Sequence, residues 1–199
     1  MMRNRTAFTF SCCILAAVGA GCASPRSDFY TLSPLAKAAP AAAGYSVAVG
    51  PVSIPEVVDR PQIVVRTGPN QVFIDEFHRW GSPLRDDIAR GIAGNLAALL
   101  GAPQVSVMPH PTSSAAKYRA AVDVMVFDST PGEAAALDAV WVVRGAGDGA
   151  TRSGRTTVRE TVSDAGYAAL VAAHSRALEK LSGDIADAIR GLEHAGRQR

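Results

Sequence analysis

The sequence predicts a single α/β domain: a mixed, mostly antiparallel sheet with two helices packed on one face. Three patterns lead to this prediction. Short β-branched runs lie between Gly, Pro and Asn turns, two long stretches repeat apolar residues at helical spacing, and three later segments alternate apolar and polar residues. The 199 residues are enough for one domain with its own core, and no internal repeat suggests a second one.

The first half of the domain is predicted to contain a strand followed by a hairpin. Residues 47–54 form an apolar run, and the runs 63–66 and 72–74 flank a Gly-Pro-Asn turn. In that hairpin Val64, or Val65 in the other phase, can lie opposite Val72 or Ile74. The segment after the hairpin, which begins with Asp75-Glu76, is expected to be a solvated turn.

A helix is predicted over residues 83–100, because apolar residues repeat every four positions from Leu84 to Leu96. Ser82 is expected to cap it and Pro83 to occupy its first position. The adjacent carboxylates Asp86 and Asp87 are expected to complement the helix dipole. Gly101 and then a proline end the helix.

The second half is predicted to be a short strand, a three-stranded meander and a long helix. The short strand covers residues 105–108, and the alternating segments are 118–128, 135–144 and 156–163. Val126 is expected on the same face as Val124. The third alternating segment is polar enough to be an edge strand. Asp164 is expected to cap a helix over about residues 165–193, whose apolar stripe includes His174.

The N-terminus has the order of features found in a bacterial lipoprotein signal. Two arginines precede an apolar stretch over residues 7–18, and Gly19-Ala-Gly-Cys22 resembles a lipobox, although Gly19 stands where leucine is usual. We therefore predict a signal peptide over residues 1–21, cleavage between Gly21 and Cys22, and a lipid on Cys22. An ordinary secretory signal or a buried apolar segment is the alternative.

The remaining boundaries follow from composition. Residues 22–44 are rich in Ala and Pro and are predicted to be a lipidated, mobile tether. Residues 29–32 interrupt it; one interpretation is that the two aromatics there pin the tether to the domain, and the alternative, a short edge strand, is favoured below. The domain is predicted over 45–195, with a loose C-terminus at 196–199. The chain has 20 Lys and Arg against 18 Asp and Glu, and removal of the signal takes away Arg3 and Arg5, so the mature net charge is zero. This gives no support to a nucleic-acid partner.

No catalytic or metal-binding pattern is found in the sequence. The four histidines are scattered, and His174 is expected to be a buried core residue. Asp75-Glu76 could form a catalytic pair, but a solvated turn explains it better, and the glycines at 145–149 are expected at a hairpin tip. All the cysteines lie at or before Cys22, so a metal site of cysteines is excluded. We predict no enzyme and no cofactor apart from the lipid on Cys22.

Four residues around the hairpin are candidates for partner binding: Arg60, Phe77, Arg79 and Trp80. Tryptophan and arginine are favoured at interface hot spots, which is the functional reading. In the structural reading, Trp80 and Phe77 cover the sheet edge, and Arg60 pairs with a nearby acid.

The same region carries a family resemblance. Val49-Gly-Pro-Val-Ser-Ile-Pro55, Asp59-Arg-Pro-Gln-Ile-Val-Val-Arg66, Phe77-His-Arg-Trp80 and residues 83–96 together resemble the ABC-type transport auxiliary lipoproteins of the paraquat-inducible protein C type. Weaker similarity covers nearly all of the mature chain. The family also has an aromatic-Tyr-x-Leu segment like residues 29–32, which implies a short edge strand there.

The resemblance implies a lipoprotein on the periplasmic face of the outer membrane that serves a lipid-transport system and supports envelope integrity. The implied partners are a mammalian-cell-entry (MCE) domain protein and an inner-membrane permease or ABC transporter; a homo-oligomer is compatible with the sequence. Ala23, which follows the lipidated cysteine, favours the outer membrane over inner-membrane retention. The alternative is a lipoprotein that itself binds and carries a small apolar ligand or lipid.

Overall fold

Eight strands and two helices make up the part of the chain that the computed structural model describes, residues 25–39, 44–147 and 149–198. The strands are β1 (Asp28–Tyr30), β2 (Val47–Ser53), β3 (Gln62–Gly68), β4 (Gln71–Trp80), β5 (Val105–Val107), β6 (Tyr118–Thr130), β7 (Ala134–Gly145) and β8 (Thr151–Thr161). The helices are α1 (Leu84–Leu100) and α2 (Tyr167–Arg197), and single 3₁₀ turns lie at Glu56–Val58 and Pro111–Ala115.

The larger sheet has five strands in the order β5-β2-β6-β7-β8. β5 and β6 run parallel to β2, whereas β6, β7 and β8 form the predicted antiparallel meander. β8 is the edge strand, as its polar sequence predicted. It begins at Thr151, five residues earlier than expected, because the segment 151–155 pairs with β7 although it lacks apolar alternation.

A bulge in β6 makes the prediction for Val126 wrong. The pairing with β7 shifts between Val124 and Val126, so the alternation of inward and outward side chains changes phase there. Met125 is exposed and Phe127, rather than Val126, is buried in the core.

The smaller sheet has three strands in the order β1-β4-β3. Val64 lies opposite Ile74, as the hairpin prediction proposed. β4 does not end there: it continues to Trp80, so the solvated turn predicted at Asp75-Glu76 is wrong. Asp75 Oδ1 accepts hydrogen bonds from the backbone N–H groups of residues 77 and 78, where the register of β4 with β3 shifts, and residues 78–80 of β4 pair in parallel with β1.

Both helices begin differently from the prediction. α1 starts at Leu84 after Pro83, and no side chain caps it; the Ser82 hydroxyl accepts a hydrogen bond from Arg90 instead. Gly101, at φ 57°, ends α1 in the left-handed conformation as predicted. The residue before α2 is Gly166, and the Asp164 carboxylate accepts the N–H of Gly166 (2.7 Å) rather than capping the helix directly.

The main core lies between the five-stranded sheet and the two helices, which pack on one of its faces, α1 over β2 and β5 and α2 over β7 and β8. The predicted stripes of both helices are buried there. The fold class is therefore confirmed, with the strands divided between two sheets. Of the two helices in the described residues, neither has the uninterrupted apolar length that crossing a bilayer requires.

Candidate partner-binding surface

The four predicted partner-binding residues lie at the end of the three-stranded sheet where β4 meets β1. Trp80 is only 5% exposed, and its backbone N–H donates to the carbonyl of Pro61 (2.7 Å). Its indole ring meets the Phe127 ring edge-on, with 6.2 Å between the ring centroids. Trp80 is therefore a core residue that joins the two sheets, and little of it is available to a partner.

Arg60 lies beside a shallow groove of about 310 Å³ that is walled by Pro61, Trp80 and residues 82–84. The nearest acid in sequence, Asp59, is paired with Arg85 instead. Arg60 forms no ion pair with any described residue, and its Nε is buried without a hydrogen-bond partner there. The expected pairing of Arg60 with a local acid is therefore not found, and its guanidinium keeps unused donors.

Phe77 and Arg79 lie two residues apart near the end of β4, where its register with β3 shifts. The Phe77 ring is 43% exposed. Arg79 pairs in register with Gln62 on one side and Phe29 on the other, and its Nε also has no hydrogen-bond partner among the described residues. We call Arg60, Phe77 and Arg79 the arginine–aromatic surface.

The two arginines of this surface belong to the minority of described arginines that form no ion pair with an acidic side chain. Eight other arginines form ion pairs with Asp or Glu: Arg66, Arg85, Arg90, Arg155, Arg159, Arg176, Arg190 and Arg197. A guanidinium with unused donors beside an exposed aromatic ring suits a carboxylate-bearing protein partner, because it can bind the carboxylate in a bidentate fork.

A cluster of Asp75, His78 and Tyr167, which no sequence pattern indicated, adjoins Phe77 and Arg79. The Tyr167 hydroxyl, at the start of α2, donates to Asp75 Oδ2 (2.7 Å). The His78 ring stacks on the Tyr167 ring, with 3.9 Å between centroids and an angle of 9°, and its Nδ1 lies 3.0 Å from Asp75 Oδ1. These contacts lie in the part of β4 where its register with β3 shifts, next in sequence to Phe77 and Arg79.

The electrostatics of Asp75 follow from these contacts. Burial alone would raise the pKa of the Asp75 carboxyl, but the hydrogen bonds from Tyr167 and from the backbone N–H groups of Phe77 and His78, together with the nearby His78 ring, outweigh it and lower that pKa to about 2. Burial and the neighbouring Asp75 raise the pKa of Tyr167. The carboxylate is thus ionised near neutral pH and the phenol is neutral, so the bond persists.

Two side chains of α1 hold part of the predicted tether on the domain. Asp87 Oδ2 accepts the N–H of Leu32 (2.8 Å), and Asn95 Oδ1 accepts the N–H groups of Leu35 (2.8 Å) and Ala36 (3.0 Å). Asp87 is 4% exposed and Asn95 is fully buried, so Asp87 does more than complement the helix dipole. We call Asp87 and Asn95 the α1 clamp.

The titratable groups of the core are explained by packing. His174 is 1% exposed, its Nε2 lies 2.8 Å from Ser129 Oγ, and its ring stacks on Phe127, as expected of a core histidine. Burial lowers the pKa of His174 to about 3, so it is neutral at physiological pH.

Within the described residues, no three His, Cys, Asp or Glu side chains are grouped to hold a metal ion. Gly21 and Cys22 lie outside the described residues, and their processing stays a prediction.

Comparison with solved structures agrees with this fold. A crystal structure of an uncharacterized protein superimposes with a TM-score of 0.68 at 20% identity, over 83% of this chain and 99% of the other. Protein XCC0632 from Xanthomonas campestris, assigned to the DUF330 family, gives a TM-score of 0.67 at 21% identity, over 85% and 99% of the two chains. At these identities the likeness establishes the fold. No curated protein matches the chain.

The fold is that of a single α/β domain with two helices and two mixed sheets. The family model described as the ABC-type transport auxiliary lipoprotein component matches residues 30–186, well over half of the chain. The chain belongs to that family. This agrees with the resemblance found in the sequence, and the family description is that of an accessory component of a transporter rather than of a catalyst.

Proposed function

We propose that this chain is a lipoprotein of the outer membrane, facing the periplasm, and a non-catalytic accessory subunit of an MCE-type lipid transport system that supports envelope integrity. Membership of the transport auxiliary family supports an accessory role. The lipobox-like Gly19-Ala-Gly-Cys22 and the following Ala23 support a lipid anchor in the outer membrane. The inner-membrane part of the system would be a permease or ABC transporter.

The observation that carries the proposal is the arginine–aromatic surface. Arg60 and Arg79 have buried Nε atoms without partners among the described residues, beside the exposed ring of Phe77. Both arginines are partly exposed and form no ion pair with a described residue, so a partner's carboxylate could pair with their guanidinium groups without first breaking an existing ion pair. An MCE-domain protein that brings an acidic side chain to this face would therefore be the docking partner, with Phe77 as an apolar contact.

Photocrosslinking in intact cells tests the docking. A photoreactive amino acid replaces Phe77 in one strain and Val140 in the other; the two positions are similarly exposed, at 43% and 38%, but Val140 lies on the five-stranded sheet. We expect an MCE-domain protein to be crosslinked from position 77 and not from 140. Equal crosslinking from both positions, or lipid without protein recovered from position 77, would contradict the proposal; the second result would favour the lipid-carrier alternative.

Charge reversal tests the role of the arginines. Arg60→Glu and Arg79→Glu are each expected to abolish capture of the MCE-domain protein in a pull-down, because a carboxylate would then face a carboxylate. Arg144→Glu is the matched control, since Arg144 is an exposed arginine of β7 away from this surface. Loss of capture in the control as well would assign the effect to overall charge.

Replacement of the acylated thiol tests the anchor. Cys22→Ser removes the nucleophile that receives the lipid, so the precursor is expected to keep its signal peptide and its higher mass. Mass spectrometry of the purified protein measures both. A Cys22→Ser variant that is still cut before residue 22 would show that an ordinary secretory signal is present instead.

A further inference from the structure

The docked N-terminal segment leaves a short link between the expected lipid and the domain. β1 begins at Asp28, six residues after Cys22. A fully extended chain spans at most about 3.5 Å per residue, so this link reaches no more than roughly 21 Å. A free tether over residues 22–44 would instead reach roughly 75 Å. The start of β1 therefore lies within a short distance of the expected anchor.

Contacts along the whole segment keep it in place. Besides the α1 clamp, the carbonyl of Tyr30 accepts the N–H of Gly81 (2.8 Å), and the N–H of Ser33 donates to Ser175 Oγ (3.2 Å). The N–H of Ala39 donates to the carbonyl of Ala98 (2.8 Å). Pro34 packs so closely on Gly94 that a Cβ at Gly94 would come within 2.8 Å of it. The segment is thus part of the folded domain.

The part of this segment nearest Cys22 presents apolar side chains to solvent. Phe29 is 65% exposed and Leu35 is 43% exposed, the former more than any other large apolar side chain in the described residues. Between them and the start of α2 runs an open groove of about 460 Å³, with Ala168 and Ala172 on its far side. Arg26, between Cys22 and β1, is exposed as well.

We propose that this edge of the domain, Phe29, Leu35 and the groove beside Ala168 and Ala172, rests in the interfacial region of the membrane that holds the Cys22 lipid. The proposal rests on the lipid anchor of the proposed function. The lipid surface is what this edge would contact, because the link between Cys22 and β1 is too short to carry Phe29 far from the headgroups. The headgroup and interfacial layer of one leaflet is roughly 5–8 Å thick, well within the reach of the link.

The side chains at this edge suit contact with a lipid surface. Aromatic and leucine side chains bury their apolar surface at the boundary of headgroups and acyl chains, and a neighbouring basic residue such as Arg26 binds lipid phosphates. Because Phe29 pairs in register with Arg79, the arginine–aromatic surface would then lie directly beside the membrane. A docked partner would meet this protein at the bilayer surface.

Site-specific labels test the proposal on the full acylated protein. Cys12 and Cys13 precede the cleavage point and Cys22 carries the lipid, so a newly introduced cysteine is the reactive thiol of the mature chain. Phe29→Cys and Leu35→Cys are each labelled with an environment-sensitive fluorophore and reconstituted in vesicles of phosphatidylethanolamine and phosphatidylglycerol. Met125→Cys is the matched control, because Met125 is 55% exposed on the five-stranded sheet.

We expect labels at 29 and 35 to show blue-shifted emission and several-fold less quenching by aqueous iodide than the label at 125. Equal quenching at all three positions on acylated protein would overturn this inference and leave the proposed accessory function standing. If protection of the labels from iodide rises with protein density at constant lipid concentration, the edge contacts other copies of the chain, and this inference is overturned too. A mature chain without acyl groups, detected by mass before labelling, would overturn both.

Discussion

The α1 clamp gives a quantitative prediction through Asn95→Ala. Asn95 is fully buried, and its Oδ1 accepts two backbone N–H groups from the docked segment. Removing the acceptor takes away two hydrogen bonds, each with a net contribution of about 1 kcal/mol, and leaves two donors with no partner in the folded state. We expect the local opening free energy of the segment to fall by ~2–3 kcal/mol.

Native-state hydrogen exchange measures this change at the residues concerned. The amides of Leu35 and Ala36 are expected to exchange at least ~30-fold faster in Asn95→Ala, since 1.4 kcal/mol corresponds to a factor of ten. Amides of β6 and β7 report global unfolding and should change less. Asn70→Ala, at the exposed tip of the β3–β4 hairpin, removes the same side chain without touching the segment and is the control.

Two results would refute this reasoning. Unchanged exchange at Leu35 and Ala36 would mean that the Asn95 amide does not hold these groups in solution. An equal increase in exchange rate at every protected amide would mean that Asn95 stabilises the core as a whole rather than the docked segment.

Two further predictions follow from other contacts. Gly154→Ala places a Cβ where the indole ring of Trp141 packs. We therefore expect a lower melting temperature and a free energy of unfolding, measured by chemical denaturation, that is smaller by ~2 kcal/mol or more. Gly147→Ala is the control: Gly147 has open space around it, so both quantities should stay nearly unchanged. Tyr167→Phe removes one hydrogen-bond donor from Asp75, whose pKa in the folded protein is about 2, below its ordinary value of 3.8. The stability that Asp75 contributes is therefore present above pH 4 and is lost as the pH falls towards 2. The variant should therefore show a higher Asp75 pKa by NMR titration and a shallower loss of stability over that interval, and an unchanged titration curve would contradict the assigned role of Tyr167.

The helices and most strands could be predicted because their patterns are local. The stripe of α2 repeats at helical spacing, and the alternation in β7 places Leu137, Ala139, Trp141 and Val143 inward, all of them buried. The bulge at Val124–Val126 could not be predicted, because nothing in that run of β-branched and apolar residues marks an extra residue. The partition into two sheets likewise depends on tertiary packing between Trp80 and Phe127.

The surroundings of the candidate surface were harder to predict because they depend on distant residues. Asp75 lies in a polar stretch typical of a turn, and its partner Tyr167 is 92 positions away. The Ala- and Pro-rich composition of residues 33–39 is typical of a mobile linker. That segment is docked because Asp87 and Asn95, which look like solvated helix residues in the sequence, supply buried acceptors for its backbone N–H groups.

The adjacency of β1 and the end of β4 changes how a partner would find this protein. Under the membrane-edge proposal, β1 would be held close to an acylated Cys22, and Arg79, in the neighbouring strand, would lie at a nearly constant height above the bilayer. A partner in the same leaflet would then search in two dimensions rather than three, and its effective concentration at the docking face would be set by surface density. Weak contacts at a few side chains would then suffice for assembly, because the proposed lipid anchor would confine this protein to one plane.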